Sequence, residues 1–260
     1  MNLNAYLDRV DYHPPQGRQI LDLGHLHRQH LLHIPFENLS IHLGHPIRLS
    51  EEALFEKLVT RKRGGFCFEM NALFWKVLEA YDVKVTLLSC AVYNEEKENF
   101  GPEHSHLALM VFYKYDYWLV DVGFGDSFPE PLRLLPGQIQ LMDGARYQFV
   151  ISRDGLWTLM RSKGGDHPYI PMYRFSRVAR QFDEFYEMCE YHQTSEKSHF
   201  THRRLITRLI PGGRITLTDQ KLKISSGSKA KEQAIESDEE FEKSLSEHFG
   251  MDWDEMKKAK

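Results

Sequence analysis

The spacing of apolar residues changes period at Asp82, and that change restricts the chain to helices first and a sheet second. Before it, Met70, Leu73, Phe74, Val77, Leu78 and Tyr81 recur at i, i+3, i+4, i+7, i+8 and i+11. They lay one wholly apolar stripe along a predicted helix from about Cys67 to Tyr81. After it, VKVTLLSCAVY, SHLALMVFY and YWLVDVGF are β-branched and aromatic with polar breaks between them, the pattern of successive strands. A stripe of period 3.6 scatters its apolar groups over both faces of a strand, so neither half can exchange roles with the other.

Local signals extend this division. LDLGHLHRQHLLHIPF predicts a helix that stops where Pro35 forces extended backbone. Ser50 is placed to cap another, with Glu51 and Glu52 in its positive first turn, buried Leu54 and Leu58, and a stop at Lys62, Arg63 and the Gly64–Gly65 pair. Downstream, ARYQFVIS, LWTLM, RLITRLI and RITLTD read as strands, the last two joined by a PGGR turn, and QFDEFYEMCEYH reads as helix. Residues 221–231 are polar with Gly and Ser and predict an exposed loop. SDEEFEKSLSEHFG opens on a capping box (Ser237, Glu240), aligns Phe241, Leu245 and Phe249, and ends at Gly250. No internal repeat is present, and consecutive antiparallel strands suggest a barrel or a strongly curved sheet.

Composition excludes several classes. At 260 residues, 42% hydrophobic and 27% charged, the chain sustains one large core or two or three small domains, not long disorder. A net charge of -4 gives no reason to expect nucleic acid or an anionic membrane as partner. The RKR at 61–63 and the KKAK at 257–260 read as helix-end cations and a solvated tail. The N-terminus lacks the apolar block of a secretory signal, and no stretch approaches the ~20 apolar residues of a membrane span. Cys67, Cys90 and Cys189 are odd in number and widely spaced, which points to a reducing compartment, the cytoplasm. Oligomeric state is left open.

RGGFCFEMN, residues 63–71, sets Cys67 at the start of the apolar helix. Free N–H groups and the helix dipole there favour an anion, so the thiol is placed to ionise more readily than a free cysteine and to have a developing oxyanion held nearby. Gly64 and Gly65 would let the chain turn sharply beside it. A small buried residue at a helix start is the alternative. A nucleophilic thiol needs a base and an orienter. His106 lies near the start of one predicted strand and Asp121 near the end of the next. An even-numbered loop at Tyr113–Asp116 sets Ala108 opposite Asp121 and makes His106 its diagonal neighbour; a three-residue loop would separate them. A satisfied strand histidine and a turn-forming aspartate are the plain alternatives among 14 His. His104 and His106 also share a face, but no spacing supplies further metal ligands, so no metal is expected.

RGGFCFEMN, then HSHLALMV with its histidine 39 positions after the cysteine, then YWLVDVGFGD, resembles the arylamine N-acetyltransferase family. IPFENL at 34–39, YHQTSEKSHF at 191–200, GGRITL at 212–217 and LSEHFGM at 245–251 are similar to its other blocks, in order along nearly the whole chain. The resemblance implies an α+β fold: an N-terminal helical bundle (1–82), a central antiparallel β-barrel (83–190) and a C-terminal α/β lid (191–260), with a cysteine-protease-like core. It implies a Cys67, His106 and Asp121 triad, acetyl-CoA as donor, and arylamines, arylhydrazines or N-hydroxyarylamines as acceptors. Glu37 and Arg63 would form a supporting ion pair, Phe36 and Phe124 would wall the acceptor pocket, and Ser105 would join them. Glu103, His104, Tyr191 and Thr194 match coenzyme positions in some relatives, although Glu103 would repel a pyrophosphate unless it points away. A thiol hydrolase and a non-catalytic binding protein remain the rival readings.

Overall fold

Polar caps and packing glycines set the helical part. In the computed structural model, which describes residues 1–14, 21–126, 128–227 and 229–258, Asn2 caps α1 (Leu3–Arg9) and Asp22 caps α2 (Leu23–His33) through their side-chain oxygens. α2 stops ahead of Pro35. A two-residue strand, β1 (Phe36–Glu37), and one turn of helix, α3 (Leu39–His42), follow. Ser50 caps α4 (Glu51–Phe55), which continues as a wider π-helical turn over Glu56–Thr60.

The glycine pair does not make the next turn, a correction to the sequence expectation. Lys62 takes the left-handed conformation instead, with φ 51°. Gly64 and Gly65 are required for close approach: a Cβ would fall 2.0 Å from the Pro35 carbonyl oxygen at Gly64 and 2.8 Å from the Glu69 side chain at Gly65. They press residues 63–66 against β1 and deliver the chain to α5 (Cys67–Glu79). Met70, Leu73, Phe74, Val77 and Leu78 are buried as their spacing predicts.

The sheet that follows contains β2 (Val85–Asn94), β3 (Asn99–Phe100), β4 (His106–Tyr113), β5 (Asp116–Val120), β6 (Leu132–Arg133), β7 (Gln140–Met142), β8 (Ala145–Ile151), β9 (Trp157–Ser162) and β10 (Ile170–Phe175). Its order is β6-β5-β4-β2-β10-β9-β8-β7, with β3 on β2. Its pairs are antiparallel. The two edges nearly meet. The Gln140 side-chain amide accepts from the Arg133 N–H at 2.8 Å and donates to the Arg133 carbonyl at 2.9 Å, in place of a pair of ladder bonds. The result is a nearly closed, barrel-like antiparallel sheet. Lys114 and Tyr115 form the β4–β5 turn, both left-handed at φ 48° and 66°, which gives an even loop. Tyr113 therefore pairs with Asp116 and Leu109 with Val120.

A second sheet runs β1-β11-β12-β13-β14, with β11 (Leu205–Ile210), β12 (Gly213–Thr218), β13 (Lys221–Ser226) and β14 (Lys229–Ala234). The expected loop at 221–231 is thus a hairpin. Its polar sequence hid an alternation in which Leu222 is buried, while Lys221 and Lys223 reach Glu232 across the strands at 3.0 Å each. β1 joins this sheet from far away in sequence: Phe36 pairs with Thr207, and Asn38 bonds to the main chain of Phe200, Arg203 and Leu205. α6 (Tyr186–Thr194), expected as helix, precedes it after a 3-10 turn at Phe182–Phe185. α7 (Asp238–Phe249) seals the sheet with Phe241, Leu245 and Phe249 against Ile206, Ile215 and Leu217. Ser237 caps it, but Glu240 reaches back to the Glu236 amide, so the capping box closes one residue early. Gly250, φ 66°, ends it. α8 (Trp253–Lys258) carries the first two lysines of the KKAK tail; residues 259–260 lie outside the described residues. Among the described residues no helix is long and apolar enough to cross a membrane.

Candidate active site

The head of α5 packs where β4 and the end of β5 meet, and that junction sets Cys67 against Leu107 and Gly123, residues that adjoin His106 and follow Asp121. The even β4–β5 loop places His106 and Asp121 on one face, with Nε2 and Oδ2 2.8 Å apart. Cys67 lies against the residue after the histidine: the main-chain amides of Leu107 and Phe68 reach its sulfur. Gly123 makes this closeness possible. A Cβ there would stand 2.8 Å from the Cys67 Cα, 2.9 Å from its carbonyl oxygen and 2.6 Å from the Asn71 amide nitrogen.

Asn71 sits one helical turn after Cys67 and staples the helix to both strands. Its Nδ2 donates to the Leu107 carbonyl at 2.6 Å and to Asp121 Oδ1 at 2.9 Å, and its Oδ1 accepts from the Val122 amide at 2.9 Å. The Tyr173 hydroxyl, from β10, donates to Asp121 Oδ2 at 2.9 Å, and the Gly123 amide to Oδ1 at 3.0 Å. Burial opposes the Asp121 charge, but the His106 imidazole and the hydrogen bonds from His106, Asn71 and Tyr173 outweigh it and hold the carboxyl below its ordinary range. The thiol is different. Burial pushes Cys67 up, and the Leu107 and Phe68 amides offset only part of that rise. The expected easy ionisation at the helix start is therefore absent in this closed arrangement, because desolvation exceeds the benefit of the helix N-terminus.

The supporting residues form a second layer. Arg63 binds Glu37 through Nη2 at 2.6 Å and Nε at 3.0 Å, both groups buried. Burial opposes the Glu37 charge, yet Arg63 and Lys57 hold its carboxyl low. Lys57 Nζ lies 2.7 Å from Glu69, whose other oxygen accepts from the Phe66 amide and so caps α5. Phe36 and Phe124 both line a narrow crevice with Met70, Val122 and Gly125. The Phe124 ring stands edge-on to His106 at 5.3 Å. A cavity of about 580 Å³ lies elsewhere, between α4 and the 250–256 segment; none of the three central residues lines it.

The remaining candidates lie just before β4 and on α6. The Ser105 hydroxyl is engaged with strand β2, accepting from the Val92 amide and donating to the Cys90 carbonyl. Glu103 pairs with Arg180 at 3.3 Å, which offsets its charge. His104 stands 3.5 Å from Glu184. Tyr191 is exposed on α6, and Thr194 donates to the Glu190 carbonyl within the same helix. His192, buried between them, lies 3.2 Å from the Ser105 carbonyl and ties α6 to the residue before His106. Among the described residues, no cluster of three or more His, Cys, Asp or Glu side chains is placed to hold a metal ion.

Asn71, Tyr173 and Gly123 were missed in the sequence. Asn71 did leave a signal, an amide four residues after the cysteine on a buried helix face. Tyr173 looks like any strand aromatic.

An N-acetyltransferase family model matches residues 19–258. The arylamine N-acetyltransferase pineal gland isozyme NAT-10 of Gallus gallus is 31% identical over 96% of this chain and 94% of its own. A Salmonella typhimurium relative named arylamine N-acetyltransferase / N-hydroxyarylamine O-acetyltransferase is 32% identical over 84% of this chain and 76% of its own. The solved structure of Mycobacterium marinum arylamine N-acetyltransferase in complex with CoA superposes with a TM-score of 0.86 at 29% identity, covering 96% of this chain and 92% of that one. By sequence and by fold, this chain belongs to the arylamine N-acetyltransferase family.

Proposed function

We propose that the protein transfers an acetyl group from acetyl-CoA to arylamines, arylhydrazines or N-hydroxyarylamines by a ping-pong route through Cys67. The observation that carries the reading is the short His106–Asp121 contact with the Cys67 sulfur set against the adjoining Leu107 amide. Nε2 of His106 is engaged by Asp121, so Nδ1 is the nitrogen left to take the thiol proton. The thiolate attacks the thioester carbonyl, main-chain amides beside Cys67 hold the oxyanion, and the C–S bond to CoA breaks; the leaving CoA sulfur takes the proton back from His106, and the acetyl group stays on the Cys67 sulfur. An aromatic amine is neutral near pH 7 and can meet the apolar wall of Phe36 and Phe124 without desolvating a charge. It attacks the acetyl-cysteine while His106 removes its proton. Asp121 fixes the imidazole tautomer and balances its charge in both halves.

The ion pair of Glu103 with Arg180 supports a coenzyme contact at Glu103, His104, Tyr191 and Thr194, since it offsets a charge that would repel phosphate. We read 1–82 as the helical part, 83–190 as the barrel and 191–260 as the lid over a cysteine-protease-like core. A thiol on a helix facing His and Asp on adjoining strands supports that reading. Three free buried cysteines fit a reducing cytoplasm.

Incubation with acetyl-CoA alone is expected to add one acetyl group at Cys67, read by mass spectrometry after digestion, and addition of arylamine to remove it. A protein that hydrolyses acetyl-CoA without passing the group to any amine would be the rival hydrolase.

A further inference from the structure

We infer that His27 is a positioning residue for acetyl transfer, bridging Asp121 and Pro129 and so fixing the main chain that bears the Asp121 carboxylate. This rests on the proposed reaction at Cys67. His27 comes from α2, remote in sequence from the site, yet its ring reaches both Asp121 and Pro129. Nε2 accepts from the Asp121 main-chain amide at 3.4 Å, and Nδ1 lies 3.1 Å from the Pro129 carbonyl. One protonation form satisfies both: the neutral ring with its proton on Nδ1. The imidazolium has no lone pair for the Asp121 amide, and the other tautomer would set N–H against N–H and lone pair against carbonyl. Burial favours the neutral ring and pushes its pKa down to about 4.

Packing leaves the ring little freedom. It stacks on Phe128 at 5.8 Å with 6° between planes and meets the edge of Phe74 at 6.0 Å. Next to it on α2, Arg28 reaches Glu130 and Asp143, which anchors the same helix beyond Pro129. Residues 121–124, which start at the bonded Asp121 amide, carry the carboxylate that orients His106, the Gly123 that lies on Cys67, and the Phe124 ring that faces His106. Donors from His106, Asn71, Tyr173 and the Gly123 amide set the Asp121 carboxylate, and His27 sets the backbone that bears it.

Three substitutions separate the two hydrogen bonds from the packing. His27→Phe keeps the aromatic contacts and removes both bonds. His27→Asn reaches only the Pro129 carbonyl, and His27→Gln reaches the Asp121 amide. Each variant and the wild type are measured for first-turnover CoA release from acetyl-CoA and for acetyl passage from loaded enzyme to an arylamine, alongside melting temperature. We expect His27→Phe and His27→Asn to slow both half-reactions by on the order of 10²-fold, with half-saturating acetyl-CoA unchanged, and His27→Gln to recover most of the rate. Wild-type rates in His27→Phe and His27→Asn would overturn the inference. So would equal losses in all three that simply follow their melting temperatures. If His27→Phe does not fold, the Asn–Gln contrast decides alone. Wild type run in parallel keeps the two readings apart: no acetyl on its Cys67 refutes the proposed reaction itself.

Discussion

Desolvation dominates the Cys67 thiol and opposes its ionisation, so the sulfur anion must be made by its neighbours rather than inherited from the helix start. That places the weight on Asp121, a buried carboxylate bonded by His106, Asn71, Tyr173 and the Gly123 amide. Asp121→Asn preserves the shape but offers an amide where a carboxylate fixed the tautomer. The expected loss is on the order of 10⁴ in kcat, with a lowered melting temperature because the amide NH2 must face buried donors; steady-state acetylation below that temperature and thermal unfolding measure the two. Near wild-type kcat would remove Asp121 from the mechanism. At this scale the sequence was informative where local signals restrict position. The His106–Asp121 contact and the place of Cys67 at a helix start were legible because strand register and helix-end signals fix both. Tyr173 and His27 were not, since their roles depend on which distant groups the fold brings to their polar atoms.

Between elements, the decisive contact is the crossing of α5 over the chain that leaves β5. Nothing larger than hydrogen fits at Gly123, because the nearest Cys67 atoms belong to backbone and cannot rotate away. Gly123→Ala is therefore expected to destabilise the protein by about 1–3 kcal/mol and to slow Cys67 acetylation more than it weakens the fold. Urea unfolding and first-turnover CoA release would check both parts, and an unperturbed acetylation rate would contradict this account. The long periodic elements could be read from the chain alone, α2, α5 and the β2-β4-β5 meander among them. The two-residue β1 and the polar β13–β14 hairpin could not. β1 has two residues and no period, and β13 and β14 gain their order from cross-strand lysine–glutamate pairing that composition reads as loop. The left-handed Lys114–Tyr115 turn is unusual for such residues, and only the register requirement of its flanking strands explains it.

Across the whole molecule, burial of neutral histidines makes stability fall with acidity. His27 and His192 have pKa values pushed down to about 4 by burial, and His30 is lowered as well. Unfolded, each takes a proton near pH 6.5; folded, each resists until far lower pH. Stability from these groups is fully present above pH 6.5 and declines as pH drops towards 4, by roughly 1.4 kcal/mol per pH unit for each histidine. The Asp121 contribution has the opposite type of origin and is lost only below the carboxylate range. Unfolding free energy should thus drop by about 3 kcal/mol between pH 7 and 5.5 from His27 and His192 together, and a flat profile would refute the assignment. The pairing of β1 with β11 has a different consequence, one of timing. Phe36 meets Thr207 only across 171 residues of chain (207 − 36), so at ordinary synthesis rates its partner strand is made roughly 10–30 s later. Until then the newborn amino-terminal half keeps an unzipped edge, and Asn38 waits for main-chain partners that have not yet been translated.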